Sequence, residues 1–186
     1  MVDTGVIHGR FQVLHNDHLK YLLAGKERCH HLVVGITNPD PNLTLPEASD
    51  AERSSPLSNP LTYYERLILI REALREARID LESFSIVPFP INHPELYGHY
   101  VPLDATFYLT IYDAWGRRKL ERFRDMGLKT EVLWERSYAE KGLSGTVIRL
   151  LMAGGEPWEH TVPPSSRRWL QKWKVPERIR MLKGMA

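Results

Sequence analysis

The sequence predicts an α/β fold, a Rossmann-like, doubly wound parallel sheet of five strands with C-terminal helices. Three observations carry this. Residues 4–8 (TGVIH) and 31–37 (HLVVGIT) are short β-type runs with one helical stretch between them, a βαβ unit that implies parallel pairing. Three more β-type runs alternate with helical patterns downstream. Glycines follow the first run and the helical stretches, as strand and helix terminators.

The elements follow in order. The first run ends at Gly9, and Asn16 or Asp17 is expected to cap a helix that starts near His18. Leu19, Leu22 and Leu23 give that helix an apolar face. Cys29, His30 and His31 read as capping and packing at its end. Residues 38–60 hold five prolines among Ser, Asn and Asp. A loop of that length reads either as a surface insertion or as a mobile flap beside a ligand site. Thr62 and Glu65 form a capping-box pattern before LILIREALREA. Strands are expected at 84–87, 106–112 and 130–134, with a short helix in the irregular segment between the first two. A helix from Trp115 to Met126 stops at Gly127, and Ser144 opens another that Gly154 and Gly155 close. Helical pieces near 163–173 and 176–184 finish the chain.

Composition narrows the class. The 186 residues fit one domain over 1–186, with a helical extension from about 160 to 186. With 42% hydrophobic residues, a sizeable core is available. A formal net charge of +2, without an aromatic-basic stripe, argues against a nucleic-acid partner. The lone Cys29 excludes an internal disulfide, and a cytoplasmic setting is expected. Neither a signal peptide nor a membrane span is expected. The tail from Pro176 reads as packing on the body or on a second subunit of a homo-oligomer.

Doubly wound sheets bind ligands beyond the carboxyl ends of their strands. There the chain carries Gly9, Arg10, Phe11, Gln12, His15 and His18. A helix start offers free N–H groups to phosphate, and imidazoles spaced i, i+3 can share one pocket. Arg10 adds a forked cation. Two histidines near a turn also read as surface residues. A zinc site using His8, His15 and His18 is a further alternative, but no Cys or Glu completes a ligand spacing. A second cluster, Ser144, Gly145, Thr146 and Arg149, joins capping hydroxyls to a close backbone and a cation. By itself it also reads as an ordinary helix cap.

Together, GRFQ-x-x-H-x-x-H after the first strand and SGT-x-IR before a late helix resemble the HxGH nucleotidyltransferase superfamily. Within it the sequence is most similar to the archaeal-type nicotinamide-nucleotide adenylyltransferases of the cytidylyltransferase-like group. Residues 59–66 (NPLTYYER) and the tail through Met152, Gly155, Trp158, Val162 and Pro163 extend the likeness over nearly the whole chain. The resemblance implies transfer of AMP from ATP to nicotinamide mononucleotide, giving NAD and pyrophosphate without a covalent intermediate. It implies that His15, His18, Arg10 and Arg149 are catalytic. Gly9, Phe11, Ser144, Gly145 and Thr146 join them in binding ATP, and Mg²⁺ bridges the phosphates. Gln12, Asn38, Tyr97, Asp113 and Trp115 are the expected acceptor residues, with Tyr97 standing where a tryptophan is usual.

The sequence departs from the family pattern at Asp17, where the motif has Gly, and at Val13, where Pro is usual. Arg53 is a candidate for an arginine that the family places before residues 59–62. Asp17 reads as a carboxylate that Arg10 or Mg²⁺ must offset, or as a cap pointing away. Two other functions are weighed: a sister adenylyl- or cytidylyltransferase using ATP or CTP with another phosphorylated acceptor, and a non-catalytic nucleotide sensor.

Overall fold

The structure is a computed structural model that describes residues 1–41, 54–137, 140 and 142–184. Five strands form one sheet: β1 (Val2–Gly9), β2 (Cys29–Thr37), β3 (Phe84–Phe89), β4 (Thr106–Ile111) and β5 (Lys129–Glu135). Their order is β3-β2-β1-β4-β5, and every pair is parallel. The direction of winding reverses between β1 and β4, so a cleft opens there at the carboxyl edge.

Alternation along β1 explains the two layers. Ile7 faces one core, with α1 (Asn16–Lys26), α2 (Tyr63–Glu76) and α4 (Gly145–Gly154). Its neighbour Val6 faces the other, with Phe107, Leu109 and Phe123 of β4 and α3 (Ala114–Asp125). Each central strand is therefore apolar on both faces, which is why its sequence runs nearly continuously hydrophobic. The last helices, α5 (Pro164–Lys172) and α6 (Val175–Gly184), place Leu170, Val175 and Ile179 in the first core. The tail thus packs on the body. No described helix is long and apolar enough to cross a membrane.

Two local readings need correction. The chain leaves α1 at Lys26, and Cys29, His30 and His31 begin β2 instead of ending a helix. Cys29 is buried with its Sγ 3.4 Å from the Gly25 carbonyl oxygen, and His31 Nε2 lies 2.9 Å from Ser85 Oγ. The first helix is capped by neither Asn16 nor Asp17. His15 Nδ1 accepts the His18 N–H at 3.3 Å, because the other two side chains are drawn elsewhere. Asn16 Nδ2 donates to the His160 carbonyl at 3.0 Å, and Asp17 faces Lys20 and Leu143. Most of the expected flap, with Arg53, lies outside the described residues.

The capping box of α2 closes as the sequence indicates. Glu65 N–H donates to Thr62 Oγ1 at 3.2 Å, and Thr62 N–H to Glu65 Oε2 at 2.9 Å. Only the fold reveals that Arg178 of α6 grips the same carboxylate with two bonds of 2.8 Å and donates to the Pro60 carbonyl at 3.0 Å. Burial works to raise the Glu65 pKa, but Arg178 and the Thr62 N–H outweigh it and hold the carboxyl below its ordinary value. Replacing Arg178 by Met leaves a buried carboxylate without its cation and is expected to cost about 1–3 kcal/mol in urea unfolding near neutral pH. Because the folded pKa is depressed, this stabilisation is present above the ordinary Glu pKa and is lost as pH falls through the folded value. The gap between wild type and variant should therefore narrow in acid.

Candidate active site

The loop after β1 is held from beneath by one buried arginine. Arg66 of α2 donates to the carbonyls of Arg10 (3.0 Å), Thr37 (2.7 Å) and Asn38 (2.8 Å). It ties the ends of β1 and β2 together, and burial lowers its pKa to about 10. Phe11, at φ 51, turns its fully buried ring under Gly9. A left-handed backbone at a bulky residue is strained and persists only where its surroundings enforce it.

The same loop places the histidine pair. His15 and His18 stack with ring centroids 3.7 Å apart, and His18 meets the edge of Phe11 at 5.1 Å. His15 is fixed as the helix cap. His18 Nδ1 is shielded from solvent and has no hydrogen-bond partner. Burial, then neighbouring His15, drives the His18 pKa well below the usual value. A neutral imidazole at a helix N-terminus offers one N–H to an anion.

The second motif closes over the first. Ser144 caps α4 by accepting the Val147 N–H at 3.3 Å. Arg149, buried, donates to the Gln12 carbonyl and to Thr146 Oγ1 at 3.1 Å. Burial and then Arg10 lower its pKa to about 10, so two guanidiniums repel each other across the cleft. An entering polyphosphate would relieve that repulsion. Gly145 lies directly against the Gln12 carbonyl: a Cβ there would be 2.4 Å from its oxygen.

Asp17 fastens the two motifs together. Its Oδ2 accepts the Leu143 N–H at 2.7 Å, and its Oδ1 accepts Lys20 Nζ at 2.9 Å. Burial opposes ionisation, but Lys20 and that N–H keep the carboxyl below its ordinary pKa. Gly142, at φ 42, makes the approach possible, since a Cβ would sit 2.4 Å from Asp17 Oδ2. The carboxylate that stands in the motif's Gly position is thereby turned onto a backbone N–H.

These elements line one cleft of about 500 Å³ between β1 and β4. Its opposite wall carries Asn38, Asp113 and Trp115, as the strand ends suggest. Asn38 takes a left-handed backbone, φ 49, and Asp113 caps α3 by accepting the Gly116 N–H at 2.8 Å. Of the other two expected acceptor residues, one keeps its place in the cleft and one is corrected. Gln12 lines the cleft while its amide braces two loops, donating to the Leu61 carbonyl and accepting the Leu61 N–H, both at 2.9 Å. Tyr97 lies in the core against Phe89 and Phe123, with its hydroxyl donating to the Ile91 carbonyl at 2.6 Å. It is absent from the cleft wall because its ring is packed against Phe89 and Phe123.

Lys119 and His8 also line the cleft and were not among the expected binding residues. Lys119 follows Trp115 by four positions on α3, with its Nζ 4.7 Å from the Trp115 ring centroid. That spacing after the Asp113 cap is the signal in the sequence that points to it.

Comparison with known proteins agrees with this arrangement. The cytidylyltransferase-like family matches residues 6–151, which include both motifs. The chain belongs to the cytidylyltransferase-like family. It is therefore a nucleotidyltransferase. It is 54% identical over 177 residues to a phosphonoformate cytidylyltransferase of Streptomyces viridochromogenes, covering 95% of each chain. It is 31% identical to a nicotinamide-nucleotide adenylyltransferase of Thermococcus kodakarensis, covering 98% of this chain and 89% of the relative. In fold it is similar to a bifunctional NMN adenylyltransferase/ADP ribose pyrophosphatase of Francisella tularensis, with TM-score 0.69 and 17% identity. That likeness covers 98% of this chain and 52% of the Francisella chain, so this chain spans about half its length.

Substituting Gly145 by Ala should push α4 off the Gln12 carbonyl and misplace Ser144, Thr146 and Arg149 together. The expected result is a fall in kcat/KM of about 100-fold, the scale of an ångström-sized displacement in an active site, read by continuous pyrophosphate release.

Proposed function

We propose that the enzyme transfers CMP from CTP to a small phosphonate or phosphate acceptor of the phosphonocarboxylate class, phosphonoformate being the model, and releases pyrophosphate. The observation that carries this reading is the 54% identity, over 95% of both chains, with a relative named for that reaction. The burial of Tyr97 supports it, because the ring that would meet a nicotinamide at that position is occupied in the core.

An acceptor oxygen attacks the α-phosphorus in line. A P–O bond forms there while the bond to the bridging oxygen breaks, and pyrophosphate leaves with the electron pair. No oxidation state changes. The protein's contribution is positioning and charge stabilisation. His15 and His18 face the triphosphate from the start of α1, and Ser144, Thr146 and Arg149 face it from the start of α4. Arg10 closes the ring of cations. As charge moves onto the leaving group, bonds from His18 and the guanidiniums strengthen. Mg²⁺ enters as part of the nucleotide substrate. Among the described residues, no group of three His, Cys, Asp or Glu side chains could hold a metal ion.

A second reading, an ATP-dependent nicotinamide-nucleotide adenylyltransferase, is favoured by relatives at about the Thermococcus level of identity, 31% over 98% of the chain. Purified enzyme with Mg²⁺ is offered CTP or ATP, each with phosphonoformate or nicotinamide mononucleotide. The proposal expects pyrophosphate chiefly from CTP with phosphonoformate. NAD formation from ATP as the dominant reaction would replace it with the second reading, and nucleotide binding without turnover would favour a sensor. Under the productive pair, His18→Ala should lower kcat by about 100- to 1,000-fold, as for loss of a donor to a developing anion, with the melting temperature retained.

A further inference from the structure

His8, the residue before Gly9, is only 5% exposed, lines the cleft, and has both ring nitrogens without a hydrogen-bond partner. Buried polar atoms in native proteins are almost always satisfied, so two orphans on one ring call for an explanation. The ring is held at a tilt between Phe89 and Phe123, with centroids 5.4 and 5.3 Å away. An apolar side chain would fill that place at no desolvation cost. The imidazole is thus retained in a setting that penalises it.

Its neighbours are cationic. Lys119 lines the same wall, and Arg122 of α3 lies behind it. Arg122 gives one N–H to the Ile91 carbonyl at 3.1 Å, while its Nε is buried without a partner. Burial first, then Lys119 and Arg122, press the His8 pKa well below normal. An anion bound here would accept the one N–H of the neutral His8 ring and offset the positive charge of Lys119 and Arg122. This end of the cleft is also separate from the triphosphate side. His8 shares the α3 face of the sheet with Val6, two positions before it, whereas His15, His18 and α4 stand on the α1 side.

We propose that His8, with Lys119 beside it, is the specificity-determining residue that receives the acceptor's second acid group, the carboxylate of a phosphonocarboxylate, while the phosphonate oxygen attacks CTP. This rests on the acceptor class proposed above. It goes further in assigning a separate anion subsite to the α3 wall. Nicotinamide mononucleotide would instead present a cationic pyridinium ring beyond its phosphate, which Lys119 and Arg122 would repel.

The test measures KM for phosphonoformate and for CTP in wild type, His8→Phe and Lys119→Met. Phenylalanine suits the Phe89–Phe123 slot, and methionine keeps the stem over Trp115, so one variant suffices if the other fails to fold. Loss of a charge-assisted bond should raise the phosphonoformate KM by about tenfold or more, with the CTP KM changed by less than about twofold. The methyl ester of the phosphonoformate carboxylate should cost wild type a similar factor, and His8→Phe should discriminate little between acid and ester. Turnover of phosphonoformate with an unchanged KM in the folded variants, or acceptor and CTP KM rising together, overturns the assignment of His8. Wild-type turnover of nicotinamide mononucleotide and of no phosphonocarboxylate overturns the acceptor class itself, and this subsite with it.

Discussion

The site depends on how three loops are joined at the carboxyl end of β1, and Gln12 is the joint. Its amide pairs with the backbone of Leu61 in both directions, fixing the entry to α2. Its carbonyl receives Arg149 and supports the backbone of Gly145, fixing the start of α4. A buried amide with every group paired is rigid, because each alternative position leaves polar atoms without water or partner. Arg66 performs the matching task below, holding the carbonyls that end β1 and β2. These two side chains contribute architecture, and the histidines and hydroxyls above them are positioned by it.

On that frame the cleft concentrates positive charge. Arg10 and Arg149 oppose each other, His18 stands neutral at a helix start, and Lys119 faces them from α3. The carboxylate among them, Asp17, is neutralised locally by Lys20 and a backbone N–H. It latches the loop before α4 to the first turn of α1. Where the motif's glycine would give free space, this chain has a tether between its two motif segments. The acid residue is thus turned away from the cationic side chains of the cleft through geometry.

Much of the fold was legible because its signals are local. The βαβ start, the Thr62–Glu65 capping box and the Gly155 stop, which sits at φ 74, depend on neighbours a few positions away. Errors arose where a distant partner overrode a local preference. Asn16 and Asp17 are better caps than His15, but residues 160 and 143 claimed them. Tyr97 looked like a ligand residue by position, yet two phenylalanines claimed it. His8 was hidden differently: a histidine at the end of an apolar strand carries no mark of whether its nitrogens will find partners.

By itself, then, the sequence determined the parallel α/β fold, the two motifs and the superfamily, because periodicity, caps and motif spacing are written along the chain. The tertiary structure alone decided which polar side chains are spent on holding loops and which stay open to a ligand. That division follows from burial: a polar group withdrawn from water must be paired, and the partner is chosen by whatever the fold brings within about 3 Å.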